Sequence, residues 1–198
     1  RLWDSLTTTT SSRTTEQKGE PMQQQPMTFE AYTVDRFIEV VKAWVDHPWP
    51  ISADEGRRLF EDLGYAVDSE DPEMFLSEFA SNGEADSYFT ARDGIVGTVD
   101  INVTKYYDAD DTTVDAKSVA DRYAQYCEAV DRAFHGTIVR RRKKPGATEW
   151  IMSHGVLLWV GNPGSIITLY VESPRMTQLL LEEEAMGLTD YDDILEDD

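Results

Sequence analysis

The residues of this chain with the strongest claim to chemistry are three histidines, one cysteine, a group of aspartates and a run of five cations. His47 sits in His47-Pro-Trp-Pro50, His135 in the expected last turn of a long helix, and His154 beside Gly155 at an expected turn. None has a His or Glu three or four residues further on along a helix, the spacing that aims two ligands at one metal. A catalytic histidine needs a cleft and a charged partner, so a structural role is the better reading of each. Cys127 falls on the apolar stripe of the same long helix, between Tyr123 and Val130. A thiolate nucleophile needs an electropositive setting, and this chain holds 38 Asp+Glu against 18 Lys+Arg. Cys127 therefore reads as a small core residue.

Asp108, Asp110, Asp111 and Asp115 form a cluster between strand and helix with part of the spacing of a calcium loop, whose alternate residues supply oxygen ligands. The turn glycine and the terminal bidentate glutamate of such a loop are missing. The plainer reading is an acidic loop, with Asp115 capping the helix that follows and its neighbours favoured by the helix dipole. Asp100, Asp108 and Asp110 are the loose candidates for a carboxylate acid–base pair. Arg140-Arg-Arg-Lys-Lys144 could meet a phosphate, but it reads better as local counter-charge to the acidic C-terminal stretch or to the Asp108–Asp115 loop. No Gly-x-Ser-x-Gly, His-Glu-x-x-His, phosphate-cradling glycine loop or dinucleotide fingerprint occurs. The expectation is a non-enzymatic protein with no catalytic residues, no cofactor and no metal.

Tryptophan supplies another clue. Trp150, Met152 and His154 share one side of an expected strand by alternation. If that side is the wet one, it is a contact surface, because Trp and Met are enriched in protein interfaces. The candidate partner-binding residues are thus Asp108, Asp110, Asp111, Trp150, Met152 and His154.

The formal net charge of −20 over 198 residues bears on the class of partner. It argues against nucleic acid, whose phosphates would be repelled, and for a partner of positive charge. Apolar residues at 40% are too many for a wholly disordered chain. No apolar run approaches the roughly 20 residues of a membrane helix, and one cysteine excludes an internal disulfide. With no basic-then-apolar segment at its start, the chain is expected to be cytoplasmic and off the membrane. Residues 1–32, with Thr7-Thr-Thr-Thr-Ser-Ser12 and Gln23-Gln-Gln25, read as a disordered leader. Met22 and Met27 lie just before the first patterned segment, so either is a candidate start, which the intact mass of the native protein would decide. Residues 33–187 read as one domain and 188–198 as an acidic tail. The last 25 residues hold nine acids against Arg175 alone.

The elements that must position these residues follow from periodicity. Val34, Phe37, Ile38, Val41, Trp44 and Val45 lie at helical spacing, and Pro48 and Pro50 end that helix. Ser52-Ala-Asp-Glu55 is a capping box for a second helix that Gly64 closes. The period then becomes two: Met74–Ala80, Ser87–Arg92 and Ile95–Lys105 read as strands, joined through Asn82-Gly83 and Asp93-Gly94. A long helix is expected over about Asp115–His135, then strands around Glu149–Ser153, Val156–Val160 and Ser165–Glu172. Pro174 and Gly187 bracket a last helix. Short strands joined by tight turns pair antiparallel. The expected fold is α+β, two-layered, with a sheet of about six strands and helices packed on one face.

Trp49-Pro50, the helix end Leu63-Gly64-Tyr65, Val99-Asp-Ile-Asn-Val-Thr104, Glu149-Trp150, Val156-Leu-Leu-Trp159 and Ser165-Ile-Ile-Thr-Leu169 together resemble a domain family of unknown function in actinobacteria. The resemblance covers about residues 35–173. That family is similar to immunity proteins, the small acidic α+β proteins encoded beside secreted toxins. The resemblance implies a cytoplasmic immunity protein that sequesters a basic toxin domain, and transfers no catalytic residue. The order of elements is also similar to that of type III secretion chaperones, so the alternative is an adaptor that binds a secreted substrate.

Overall fold

A computed structural model describes residues 29–107 and 114–188. Helix α1 (Val34–Val45) starts where the Thr33 hydroxyl accepts the Arg36 amide, and it buries Phe37, Val40, Val41, Trp44 and Val45. Helix α2 (Ala53–Asp62) starts at the expected capping box. The Glu55 carboxylate accepts the Ser52 amide at 2.9 Å, while the Ser52 hydroxyl accepts the Glu55 amide at 3.3 Å. Four strands follow: β1 (Ala66–Val67), β2 (Met74–Leu76), β3 (Ser87–Arg92) and β4 (Ile95–Asn102). Helix α3 (Ala116–Ala133), capped by Asp115, leads to β5 (Ile138–Lys144), β6 (Ala147–Met152), β7 (Leu157–Gly161) and β8 (Thr168–Glu172). Helix α4 (Pro174–Ala185) closes the described chain.

The eight strands form one open antiparallel sheet in the order β1-β2-β3-β4-β8-β7-β6-β5. Two four-stranded meanders therefore meet through their last strands. The α+β class holds, but the sheet has eight strands rather than about six. The two additions had no periodic signal: β1 is two residues long, and β5 is built from the basic block, whose five charges mask any apolar alternation. Asp93-Gly94 forms the tight turn expected of it, with φ of 54° and 75°. Strand β2 stops at Leu76, short of the expected Ala80. There Ser77 turns its amide and hydroxyl to the Asp86 carboxylate at 2.9 and 2.5 Å, which replaces ladder pairing.

One face of the sheet carries the core. Val99, Ile101, Leu158, Val160, Leu169 and Val171 pack with residues of α1, α2 and α3 such as Phe37, Trp44, Phe60 and Tyr126. Phe37 and Tyr126 stack at 4.0 Å between ring centres, which ties α1 to α3. Burying each side chain of this size stabilises the fold by roughly 1.5–3 kcal/mol. Helix α4 departs from the expected one-sided arrangement. Its Met176 comes against Gly97, and its Glu184 reaches Arg140 and Arg142 on the face turned away from α1–α3. Among the described residues, the layer on that second face is a single helix.

Candidate functional site

The structure separates the residues singled out from sequence. Asp108, Asp110 and Asp111 lie outside the described residues. Trp150 and Met152 do not line a wet face: they are 0% and 1% exposed, in the core between sheet and helices. The side that Trp150 shares with Met152 is the helix side, not the wet one: Trp150 faces α3 and donates its indole N–H to the Asp131 carboxylate at 2.7 Å. His154 is exposed at the turn between β6 and β7, with Nε2 2.9 Å from the Val45 carbonyl oxygen. That contact ties the turn to the end of α1. Cys127 is buried, and burial pushes its thiol pKa up. It is expected to resist iodoacetamide in the native protein and to react once unfolded, as intact mass would show; rapid native alkylation would contradict its burial. Among the described residues, no group of three or more His, Cys, Asp or Glu is arranged to hold a metal ion. No described helix is long and apolar enough to cross a membrane.

Charge is distributed unevenly over the fold. Residues 29–107 carry 17 Asp+Glu against 6 Lys+Arg, whereas residues 114–188 carry nine of each. Between Arg58 and Arg92 there is no Lys or Arg at all, and nine acids fall between them. This stretch runs from the second half of α2 through β1 and β2 to the end of β3, and its acids all precede β3, so they lie toward one edge of the sheet. Its loops are held by their own carboxylates. Asp68 accepts the amides of Glu70 and Asp71 at 2.8 and 3.1 Å, and Asp71 accepts that of Glu73 at 2.9 Å. Glu61, Asp62, Glu70, Asp71, Glu78 and Glu84 remain exposed. The sequence signal for this edge was a missing residue type rather than a motif, and it went unread beside the denser Asp108–Asp115 loop.

The second feature is a cleft on the α4 face. Side chains alternating away from the core form rows across the strands. In one row Tyr88, Asp100, Tyr170, Trp159, Glu149 and Arg142 stand opposite one another in turn. In the adjoining row Glu172 stands between Thr98 and Leu157. Lys144 and Leu180 complete a cleft of about 370 Å³. Trp159 and Tyr170 meet edge to face with centroids 6.1 Å apart. The Trp159 ring lies along its own strand over Gly161, where a Cβ would fall 2.4 Å from Cη2. Glycine is required there to make room for the ring.

The basic block is divided by the pleat of β5. Arg141 turns to the helix face and pairs with Asp131 at 3.0 Å. Arg140, Arg142 and Lys144 turn to the α4 face and converge on Glu149 at 3.4, 3.4 and 3.1 Å. Glu184 of α4 takes Arg140 and Arg142 from the outer side at 2.9 and 3.0 Å, and these hydrogen bonds hold its carboxyl below the usual range. The block is thus local counter-charge, as expected, but with Glu149, Glu184 and Asp131 as partners. Glu149 and Glu172 were not singled out from sequence. A glutamate at the head of the apolar strand Glu149–Met152, a few residues after a run of five cations, was the available signal.

Two carboxylates in the cleft are less well matched. Glu172 Oε2 is buried without a hydrogen-bond partner. Burial, and then the neighbouring Glu149, push the Glu172 pKa up, against the pull of Lys144. Asp100 is also pushed up by burial, against a long hydrogen bond of 3.4 Å donated by the Tyr88 hydroxyl. A raised carboxyl pKa means that the folded state holds its proton more tightly than the unfolded state does. Stability is then lost as pH climbs from the ordinary carboxylate range through the raised value. Glu172→Gln removes that loss. The variant is expected to match wild type near pH 4 and to be the more stable of the two near neutrality, read as urea midpoints. A gap that is constant or shrinks with rising pH would show that the Glu172 charge is held without cost.

A model of a family of unknown function (DUF6301) matches residues 35–173. The span runs from the first turn of α1 to the cap of α4 and takes in every strand. No curated protein and no solved structure matches the chain.

Proposed function

We propose, for a chain that belongs to this family of unknown function, that it is a non-enzymatic module that binds a basic protein, acting as a cytoplasmic immunity protein against a cationic toxin domain. One observation carries the reading: the sheet edge between Arg58 and Arg92, whose nine acids have no Lys or Arg among them in the sequence and whose loops are held by their own carboxylates. A large single-sign surface of this kind raises the rate of encounter with a partner of opposite sign and disfavours partners of like sign.

The test is co-expression with the secreted protein encoded beside it, scored by capture of a complex and by rescue from toxicity. Absence of both would end the reading. The triple variant Glu70→Lys, Glu78→Lys, Glu84→Lys is expected to slow association about tenfold or more at low salt, measured by stopped flow. Wild-type association should slow as salt is raised, and the variant's much less. An unchanged rate would move the interface away from this edge.

A second reading, an adaptor for an extended segment of a secreted substrate, is favoured by the exposed outer side of edge strand β5, where an incoming chain could add a strand. It requires capture of the unfolded partner in preference to the folded one, which separates it from the first.

A further inference from the structure

The cleft under α4 is built unlike a simple acidic patch. It has aromatic walls in Trp159 and Tyr170, an apolar lid in Leu180, and a floor that includes the buried, unpartnered oxygen of Glu172. Around it the carboxylates of Asp100, Glu149, Glu172 and Glu184 face the three bases Arg140, Arg142 and Lys144. With every group ionised, one negative charge is left over. Arg140 and Arg142 are drawn to the β5 side by Glu149 and Glu184, and Lys144 is shared between Glu149 and Glu172, so the unbalanced charge lies toward Asp100 and Glu172, beside the rings.

We propose that this cleft is the seat for a single guanidinium group, presented as an arginine side chain by the basic partner. A guanidinium is planar, stacks on aromatic rings and donates two parallel hydrogen bonds to one carboxylate. It therefore matches both the walls and the orphan acceptor. A compact ammonium would satisfy the acceptor and waste the walls. The cleft also has room for it: Gly161 lets the Trp159 ring lie flat along the strand, which keeps the space between Trp159 and Glu172 open. Such a solvent-accessible, aromatic-walled cleft can take an anchor residue of an interface. This inference rests on the reading of the chain as a binder of a basic protein, and it adds a specific anchor to the diffuse attraction of the acidic edge.

The experiment titrates the full chain with N-acetyl-arginine methylamide and with its uncharged isostere, N-acetyl-citrulline methylamide, and follows the Trp159 indole N–H by NMR. Saturable binding of the arginine probe alone is expected, weak because an isolated side chain brings little surface. Glu172→Gln should weaken it roughly tenfold or more, the loss of a charge-assisted hydrogen bond. Gly161→Ala leaves every charge in place but forces a Cβ into the Trp159 ring, and should weaken it several-fold. Equal binding of both probes, or charge-dependent binding that neither variant alters, overturns the proposal. The same variants are then tested against the basic protein partner. Undiminished capture by Glu172→Gln, with no probe binding, removes the cleft and leaves the acidic-edge reading standing. Probe binding in the cleft with no protein captured fails the protein-binding reading instead, and assigns the site to a free guanidine compound.

Discussion

Phe60→Ala is expected to lower the unfolding free energy by about 3–5 kcal/mol, the range for deleting a large aromatic ring from a packed core. Phe60 is fully buried and is the hub of the cluster that joins α2 to the acidic edge. It stacks on Phe75 at 3.9 Å between ring centres, meets Trp44 and Tyr65 each at 5.1 Å, and lies 6.4 Å from Phe89. A domain of this size holds only about 5–15 kcal/mol in total, so the loss should shift the urea midpoint by a large fraction of its value. The functional consequence is local. Strands β1 and β2 have two and three residues, too few ladder bonds to hold themselves, and the stack of Phe75 on Phe60 attaches them to the core. Amides of β1 and β2 should therefore exchange far faster in the variant, while those of β7 and β8 follow only the global change. Association with a basic partner should weaken together with edge protection. Phe60→Leu, which keeps most of the volume, should cost much less. A cost for Phe60→Ala below about 1 kcal/mol would mean that the edge is held by something other than this ring stack.

The same edge shows what could be read from residues alone. Helices α1 to α4 were legible because their apolar stripes are bounded by explicit stop and start chemistry: Pro48, the Ser52–Glu55 box, Asp115, and Pro174 with Gly187. Strands β3, β4 and β8 were legible because burial alternates along them and the period of two survives, and β7 because its apolar run is bounded by turn residues. Strand β6 was visible as a strand, but all six of its positions are buried, so alternation could not say which side faced the helices. That is why Trp150 and Met152 were placed on a contact surface and found in the core. Strand β5 was illegible for the opposite reason: its five cations carry no hydrophobic period, and its pleat is defined only by where their partners stand. The cleft depends on that pairing. Glu149 and Arg142 meet in register on neighbouring strands, but Glu172 joins them only because the second meander returns to lie beside β4. A crossing of that kind is a property of topology, which local sequence does not encode.

Glu149→Ala is the second large effect, with an expected cost of about 2–4 kcal/mol. Removing one partner of a buried ion pair leaves the others uncompensated, at about 3–5 kcal/mol when both are fully buried. Here Glu149 is 3% exposed, whereas the side chains of Arg140, Arg142 and Lys144 are 29%, 42% and 33% exposed, so water recovers part of the loss. Glu184 still holds the two arginines, but it is itself partly exposed, and Glu184→Ala should cost no more than about 1 kcal/mol. Lys144 has a second acid within electrostatic reach, because it already opposes the upward push on the Glu172 pKa that Glu149 exerts. With Glu149 gone, Glu172 becomes the better partner for Lys144 and its charge ceases to be a liability. The coupling predicts a change of sign. Glu172→Gln stabilises the wild-type protein near neutral pH, but in the Glu149→Ala background it should be neutral or destabilising, so the two substitutions are not additive. Urea denaturation of the four proteins at one pH reads this directly. Additive effects would show that Glu149 and Glu172 do not share Lys144, and that the carboxylates of the cleft act independently.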